Sequence, residues 1–168
     1  MAIYYNSGGN NNSDVGRIIQ VITNEKTDVF SESITQGSET ATILGTDITM
    51  TNSSNKVLVM AQISASLNTT HGRSASLYRG TSQLLIGDTD GVRSKRQAGS
   101  SSSNSSSHSM IYLQKLDTPG SGTQTYGFRL SHQENNTLTC YLNRTDYDGN
   151  SSHAARTTSS IVLMEVAA

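Results

Sequence analysis

The 168-residue chain has no tryptophan, a single cysteine, and charged side chains at only 15% of its positions. Each shortage excludes something. One cysteine cannot close an intrachain disulfide. In "TLTCYLN", Cys140 alternates with Leu138 and Leu142 on one strand face, the setting of a small buried hydrophobe and not of a nucleophile. The net charge of −1 supplies no basic excess, which argues against nucleic acid or an anionic membrane as a partner. Arg93, Lys95 and Arg96 form the one basic cluster. No aromatic residue is interleaved there to stack on bases, so it reads as a solvated loop or strand edge. No apolar run approaches the ~20 residues of a membrane-spanning helix. The opening "MAIYYNSGGNNNS" lacks the basic flank and apolar core of a secretory signal, so synthesis in the cytoplasm is expected.

Helical patterning is also missing. No stretch combines a cap with about three turns of apolar face. The period along the chain is two. "KVLVMAQISASLN" places Val57, Val59, Ala61, Ile63, Ala65 and Leu67 on one face. Its other face starts apolar, with Leu58 and Met60, and turns polar through Gln62, Ser64 and Ser66. That pattern predicts a strand that begins in an interface and ends at solvent. "TYGFRLSH" alternates in the same way through Tyr126, Phe128 and Leu130, and shorter runs include "RIIQVIT", "ATILGTDITM", "SASLYRG", "QLLIGD", "SMIYLQKL" and "SSIVLMEV". Turn-forming clusters such as "NSSN", "DTPGSG" and "DYDGNSS" punctuate them.

The hydrophobic fraction is 33%, and the near-neutral charge argues against a disordered chain. Eight to ten short strands in a chain of single-domain size predict an all-β antiparallel sandwich of jelly-roll type. Apolar strands flank the serine run "SSSSNSSS" on both sides, and neither half could close a core alone. The run therefore reads as a loop within one domain, residues 16–168, preceded by a flexible arm, residues 1–15.

Chemical motifs are scarce. There is no G-x-S-x-G elbow, phosphate loop or G-x-G-x-x-G, and no reason to expect catalysis or a cofactor. His71, His108, His132 and His153 lie in or beside polar loops without metal-ligand spacing, so each reads as a solvated loop residue. "DTDG" (Asp88, Asp90, Gly91) and "DYDG" (Asp146, Asp148, Gly149) begin like calcium loops but never reach the distal glutamate. Both read better as turns, because Asp-Gly is a favoured turn pair.

Four segments taken in order, "GRIIQVITNEKTDVFS", "TDITMTNSSNKVLVMAQIS", "LYRGTSQLLIGDTDGVRSKRQAG" and "SSIVLMEV", resemble a family of jelly-roll structural proteins of tailed bacteriophages, frequent in marine phages. The resemblance spans about residues 16–166. "TMTNSSNK" departs from it, since many relatives carry a proline before that turn. The resemblance implies a virion component that forms homotrimers and whose other partners are virion proteins, such as a major capsid protein or tail component.

Within that setting a head decoration, cement protein or short surface appendage is favoured over a fibre tip, because the arm before the first strand leaves no room for a shaft. The alternative is a tail-fibre or receptor-binding knob that recognises a host surface glycan. Sugar rings usually stack on exposed Trp or Tyr, and Tyr147 is the best such residue here. Leu58, Met60, Val162, Met164 and Val166 stand on second apolar faces of their strands and are expected at a subunit contact. In the last strand, either this set or Ile161, Leu163 and Glu165 should face the core. Ile3, Tyr4 and Tyr5, the one apolar group of the arm, are the candidate virion anchor.

Overall fold

The computed structural model describes residues 15–68, 72–88, 91, 95–100, 108–152 and 154–168. The described residues form two packed antiparallel sheets. The first contains β1 (Ile18–Lys26), β2 (Phe30–Ile34), β4 (Lys56–Leu67), β8 (Ser109–Asp117), β10 (Leu138–Leu142) and β11 (Ser159–Val166). The second contains β3 (Ile43–Thr49), β5 (Arg73–Arg79), β6 (Ser82–Gln83), β7 (Ala98–Ser100) and β9 (Thr123–His132).

Several strands continue one another along a common line. β1 and β2 pair in succession with β11 and β10, which in turn pair in succession with β4. β6 and β7 share the edge of β5 that faces away from β9. Counted as continuous columns in chain order, the first sheet reads 1-8-3-6 and the second 2-7-4-5. That order is the jelly-roll winding of two Greek keys. The fold class expected from the sequence is therefore present, with eleven segments forming eight columns. The serine run's residues 101–107 lie outside the described residues, but its flanking strands, β7 and β8, belong to the two sheets of the same sandwich.

Alternation explains the core. The six β4 residues from Val57 to Leu67 that share a face are all buried, and they meet Ala75, Leu77, Tyr126, Phe128 and Leu130 of the second sheet. Ile161 and Leu163 face the same interior. Burial of each large side chain contributes ~1.5–3 kcal/mol. One end of the core is closed by Asp117, whose Oδ2 accepts from Arg79 Nη1 at 2.6 Å and from the Tyr126 hydroxyl at 2.8 Å.

Three expectations need correction. "QLLIGD" is not a full strand: pairing with β5 stops after β6, Leu84 tucks against the core, and β7 takes over the rest of the β5 edge. His132 is no loop residue. It ends β9 fully buried, with Nε2 2.9 Å from the Ile34 carbonyl. The third concerns β4, whose outward polar end was expected at solvent. Ser64 and Ser66 are buried, whereas Met60 is exposed.

The reason for the inversion is an excursion of the chain. Between β10 and β11, residues 143–152 and 154–158 lie outside the sheet strands, and β11 resumes the line of β10. They cover the polar end of β4 and satisfy it: Ser66 Oγ donates to the Arg144 carbonyl at 2.8 Å, and Thr157 Oγ1 donates to Ser64 Oγ at 2.8 Å.

Asn143 closes the base of this excursion. It is fully buried and adopts φ 61°, a left-handed conformation that asparagine tolerates better than most residues. Its Nδ2 donates to the carbonyls of Lys26 (2.7 Å) and Asp28 (2.9 Å), bridging the break between β1 and β2. Its Oδ1 accepts from Ser159 Oγ at 2.7 Å. Its backbone N–H donates to Ser64 and its carbonyl accepts from Thr157.

Candidate functional site

The outward face of the first sheet carries the apolar residues that its strands do not need for the core. Register places Val21 of β1, Met164 of β11, Leu58 of β4 and Leu116 of β8 side by side, an apolar row across all four columns. The next row is Thr23, Val162, Met60 and Gln114, and the row beyond it is Glu25, Ser160, Gln62 and Tyr112. Val166 lies beyond Met164, between Ile18 and Lys56. The structure thus brings Leu58, Met60, Val162, Met164 and Val166 onto one surface. Sequence reasoning missed Val21, Leu116 and Met110, although each stands at the period-two position that the strand pattern marks.

That face holds a groove of about 500 Å³, lined by Met60, Gln62, Tyr112, Gln114, Ser160 and Val162 among others. Tyr112 is 67% exposed at its rim, the most exposed aromatic side chain among the described residues. The outer face of the second sheet is different in kind. Its outward positions include Asp47, Thr49, Thr123, Thr125, Arg129 and Ser131. Tyr78, also on that side, is covered: Arg129 lies 4.1 Å above its ring, its hydroxyl donates to Glu39, and Arg96 pairs with Glu39 at 3.1 Å. Burial and the neighbouring Glu39 carboxylate push the Tyr78 phenol up to about 12. Arg96 is therefore a structural ion-pair partner and not a solvated charge; Lys95 is exposed, and Arg93 lies outside the described residues.

Tyr147 sits on the 143–158 excursion and is 53% exposed. Its ring lies over Gly149, so close that a Cβ there would fall 2.3 Å from the tyrosine oxygen. The aspartates of "DYDG" are engaged locally. Asp148 pairs with Arg144 at 3.1 Å and with Arg156 at 2.5 Å, and Asp146 accepts from the Tyr141 hydroxyl. Arg144 also stacks 4.4 Å from the Tyr141 ring centroid. In "DTDG", Asp88 and Gly91 are exposed and Gly91 has φ 57°, while Asp90 lies outside the described residues, as do His71 and His153. No group of three or more His, Cys, Asp or Glu side chains gathers among the described residues. Ile3, Tyr4 and Tyr5 also lie outside them.

Cys140 is buried, and burial, reinforced by Glu32 and opposed by Arg73, pushes its thiol up to about 12. Thiolate is the reactive form, so the folded protein is expected to resist iodoacetamide at pH 8 and to be alkylated only on unfolding. Mass spectrometry of the native and urea-unfolded protein checks this; rapid alkylation of the native state would show that Cys140 is accessible.

No family model matches the chain, and no curated protein matches it. Among solved structures it is similar to one of infectious bursal disease virus, Gt strain, with 13% identity and a TM-score of 0.45 over 91% of this chain. A structure of the Gx strain gives 13% identity and a TM-score of 0.41 over 92% of the chain. The crystal structure of that virus's VP2 subviral particle gives 14% and 0.40 over 91%. The chain spans only 38–39% of the length of those proteins. Its jelly-roll assignment rests on its own strand order.

Proposed function

We propose that this chain is a structural protein of a virus particle, carried on the surface of a tailed bacteriophage as a trimeric head decoration or short appendage. The observation that carries the proposal is the agreement between two independent features. The ordered segments that resemble phage jelly-roll proteins fall on β1, on β3 with β4, on β5 with β6, and on β11, in a jelly-roll winding that uses nearly all of the described chain. The polar, turn-rich surface and the uncovered apolar face of the first sheet suit a building block that completes its burial by assembly. A fold alone hosts many functions, so the sequence segments are what narrow the choice.

A second role has one observation in its favour: Tyr147 is held against Gly149 and is 53% exposed, which would leave ring surface on which a sugar could stack. That would suit a fibre knob that recognises a host surface glycan. Immunogold labelling of intact particles, with antibody to the purified chain, separates the two. Gold over the head is the expected result. Gold confined to the tail tip would favour the glycan-binding knob, and unlabelled particles would overturn the virion assignment.

A further inference from the structure

We propose that the excursion between β10 and β11 is a saccharide site, with Tyr147 as its stacking surface and Asp148 and Arg156 as its hydrogen-bonding edge. Its ligand is an uncharged sugar. This rests on the glycan-binding role named above, gives that role a site and a ligand class, and holds for a chain at either end of the particle.

Stiffness marks the loop out. Arg144 ties it together: Nε donates to the Thr145 carbonyl and Nη2 to the Asp146 carbonyl, both at 3.0 Å, while Nη1 pairs with Asp148 at 3.1 Å. Thr145, itself buried, donates its hydroxyl to the Tyr147 carbonyl at 2.5 Å. The carbonyls of residues 145, 146 and 147 are thus all held by side chains of the loop, yet the Tyr147 side chain stays 53% exposed. Gly149 leaves the space in which its phenol end rests. These bonds explain the loop's shape; none of them requires an aromatic side chain at 147. A tyrosine on a loop fixed in this way offers a large contact area and loses little entropy when a ligand covers it.

Charge and hydrogen-bonding capacity define the ligand. Among the described residues of the excursion the charged side chains are Arg144, Asp146, Asp148 and Arg156, two of each sign. Asp148, next to Tyr147 in the chain, is 32% exposed and pairs at 2.5 Å with Arg156, which is 52% exposed. A carboxylate has about four acceptor sites and a guanidinium five N–H donors, so such a pair retains capacity for a further partner. A sugar hydroxyl both donates and accepts, and neighbouring hydroxyls at the ring's edge serve Asp148 and Arg156 together. The sugar's C–H face meets the apolar body of the tyrosine. An anionic ligand would compete with Asp148 for Arg156 and meet Asp146 as well, and a cationic one would meet both arginines. The balance selects an uncharged sugar.

The test is a glycan array probed with the labelled full chain, followed by isothermal titration calorimetry with the neutral oligosaccharide it retains best. Tyr147→Ala is expected to weaken binding about tenfold or more. Gly149→Ala is expected to weaken it too: the glycine has no positive φ for alanine to strain, but the new Cβ displaces the tyrosine. Ile86→Ala, which trims a similarly exposed side chain elsewhere, is expected to bind as wild type does. If Tyr147→Ala fails to fold by circular dichroism, Arg156→Gln, at a half-exposed position, is read in its place with the same expected loss. A folded Tyr147→Ala or Gly149→Ala protein that binds like wild type would overturn this site while leaving glycan binding standing, as would loss of binding in Ile86→Ala. Retention of sialylated or sulfated glycans alone would overturn the uncharged class. No binding to any glycan would overturn the site and the glycan-binding role together; the virion role is read separately by immunogold.

Discussion

Replacing Asn143 with alanine is expected to lower the melting temperature by about 10 °C, from a loss of roughly 3–4 kcal/mol at a few degrees per kcal/mol for a chain of this size. The side chain bonds three groups at once. Without it the carbonyls of Lys26 and Asp28 lose their donor, and the Ser159 hydroxyl loses its acceptor, all at a fully buried position. Alanine must also hold φ 61°, which costs about 1 kcal/mol more than for asparagine or glycine. Asn143→Gly separates the two effects. It removes the side-chain bonds but accepts the backbone conformation, so its melting temperature is expected between those of wild type and alanine variant. Differential scanning calorimetry measures both. An Asn143→Ala protein within 2 °C of wild type would mean that the excursion is not closed by this residue, a bound set by the few degrees each kcal/mol represents.

Much of the architecture was legible because period-two alternation survives wherever one strand face is buried. Every second residue of β4 from Val57 to Leu67 is buried, as are Tyr126, Phe128 and Leu130 of β9, and β11 alternates along its whole length. The exceptions share a physical cause: alternation reports a side chain's polarity, not what the rest of the chain lays over it. Ser64 and Ser66 look like solvent positions, yet the 143–158 excursion covers them and supplies their hydrogen bonds. His132 looks like a loop residue because a polar stretch follows it, yet it closes the last turn of the β9 ladder against Arg73. Asn143 carries no sequence signal beyond a residue type that accepts left-handed backbone. At the candidate interface, the second apolar faces of β4 and β11 were visible in the sequence. The row that unites them with Val21 and Leu116 depends on register between distant strands, which no local pattern encodes.

The terminal strand shows the limit most clearly. The sequence leaves open which set of the terminal strand faces the core, because Ile161 and Leu163 share their face with a glutamate. The structure turns Ile161, Leu163 and Glu165 inward, burying Glu165 completely. Its carboxylate accepts from Gln20 Nε2 at 2.6 Å, Asn55 Nδ2 at 2.7 Å, Thr51 Oγ1 at 2.8 Å and the Thr51 backbone N–H at 2.9 Å. Burial raises its pKa, but the bonds from Gln20, Asn55 and Thr51 together outweigh that and hold it at about 2. All four donors are neutral, so the site stabilises the ionised form by hydrogen bonding alone.

Two results follow for Glu165. Substitution by alanine strands the four donors of Gln20, Asn55 and Thr51 and is expected to cost about 3 kcal/mol, again roughly 10 °C in melting temperature. The acid dependence has a definite sign. A folded pKa of about 2, below the ordinary 4.5, means that the carboxylate's stabilisation is complete above pH 4.5. It is lost as the pH falls from there towards 2. Denaturant melts across that window should therefore show wild-type stability falling on acidification, and Glu165→Gln falling less steeply. Parallel pH profiles for the two proteins would show that Glu165 is not the group responsible.

The most direct test of the virion assignment is quantitative mass spectrometry of purified phage particles, scaled to the major capsid protein. This chain is expected to be an integral component, with a copy number per particle divisible by three. Its absence from particles, when the same infected cells contain the protein in quantity, would contradict that assignment outright.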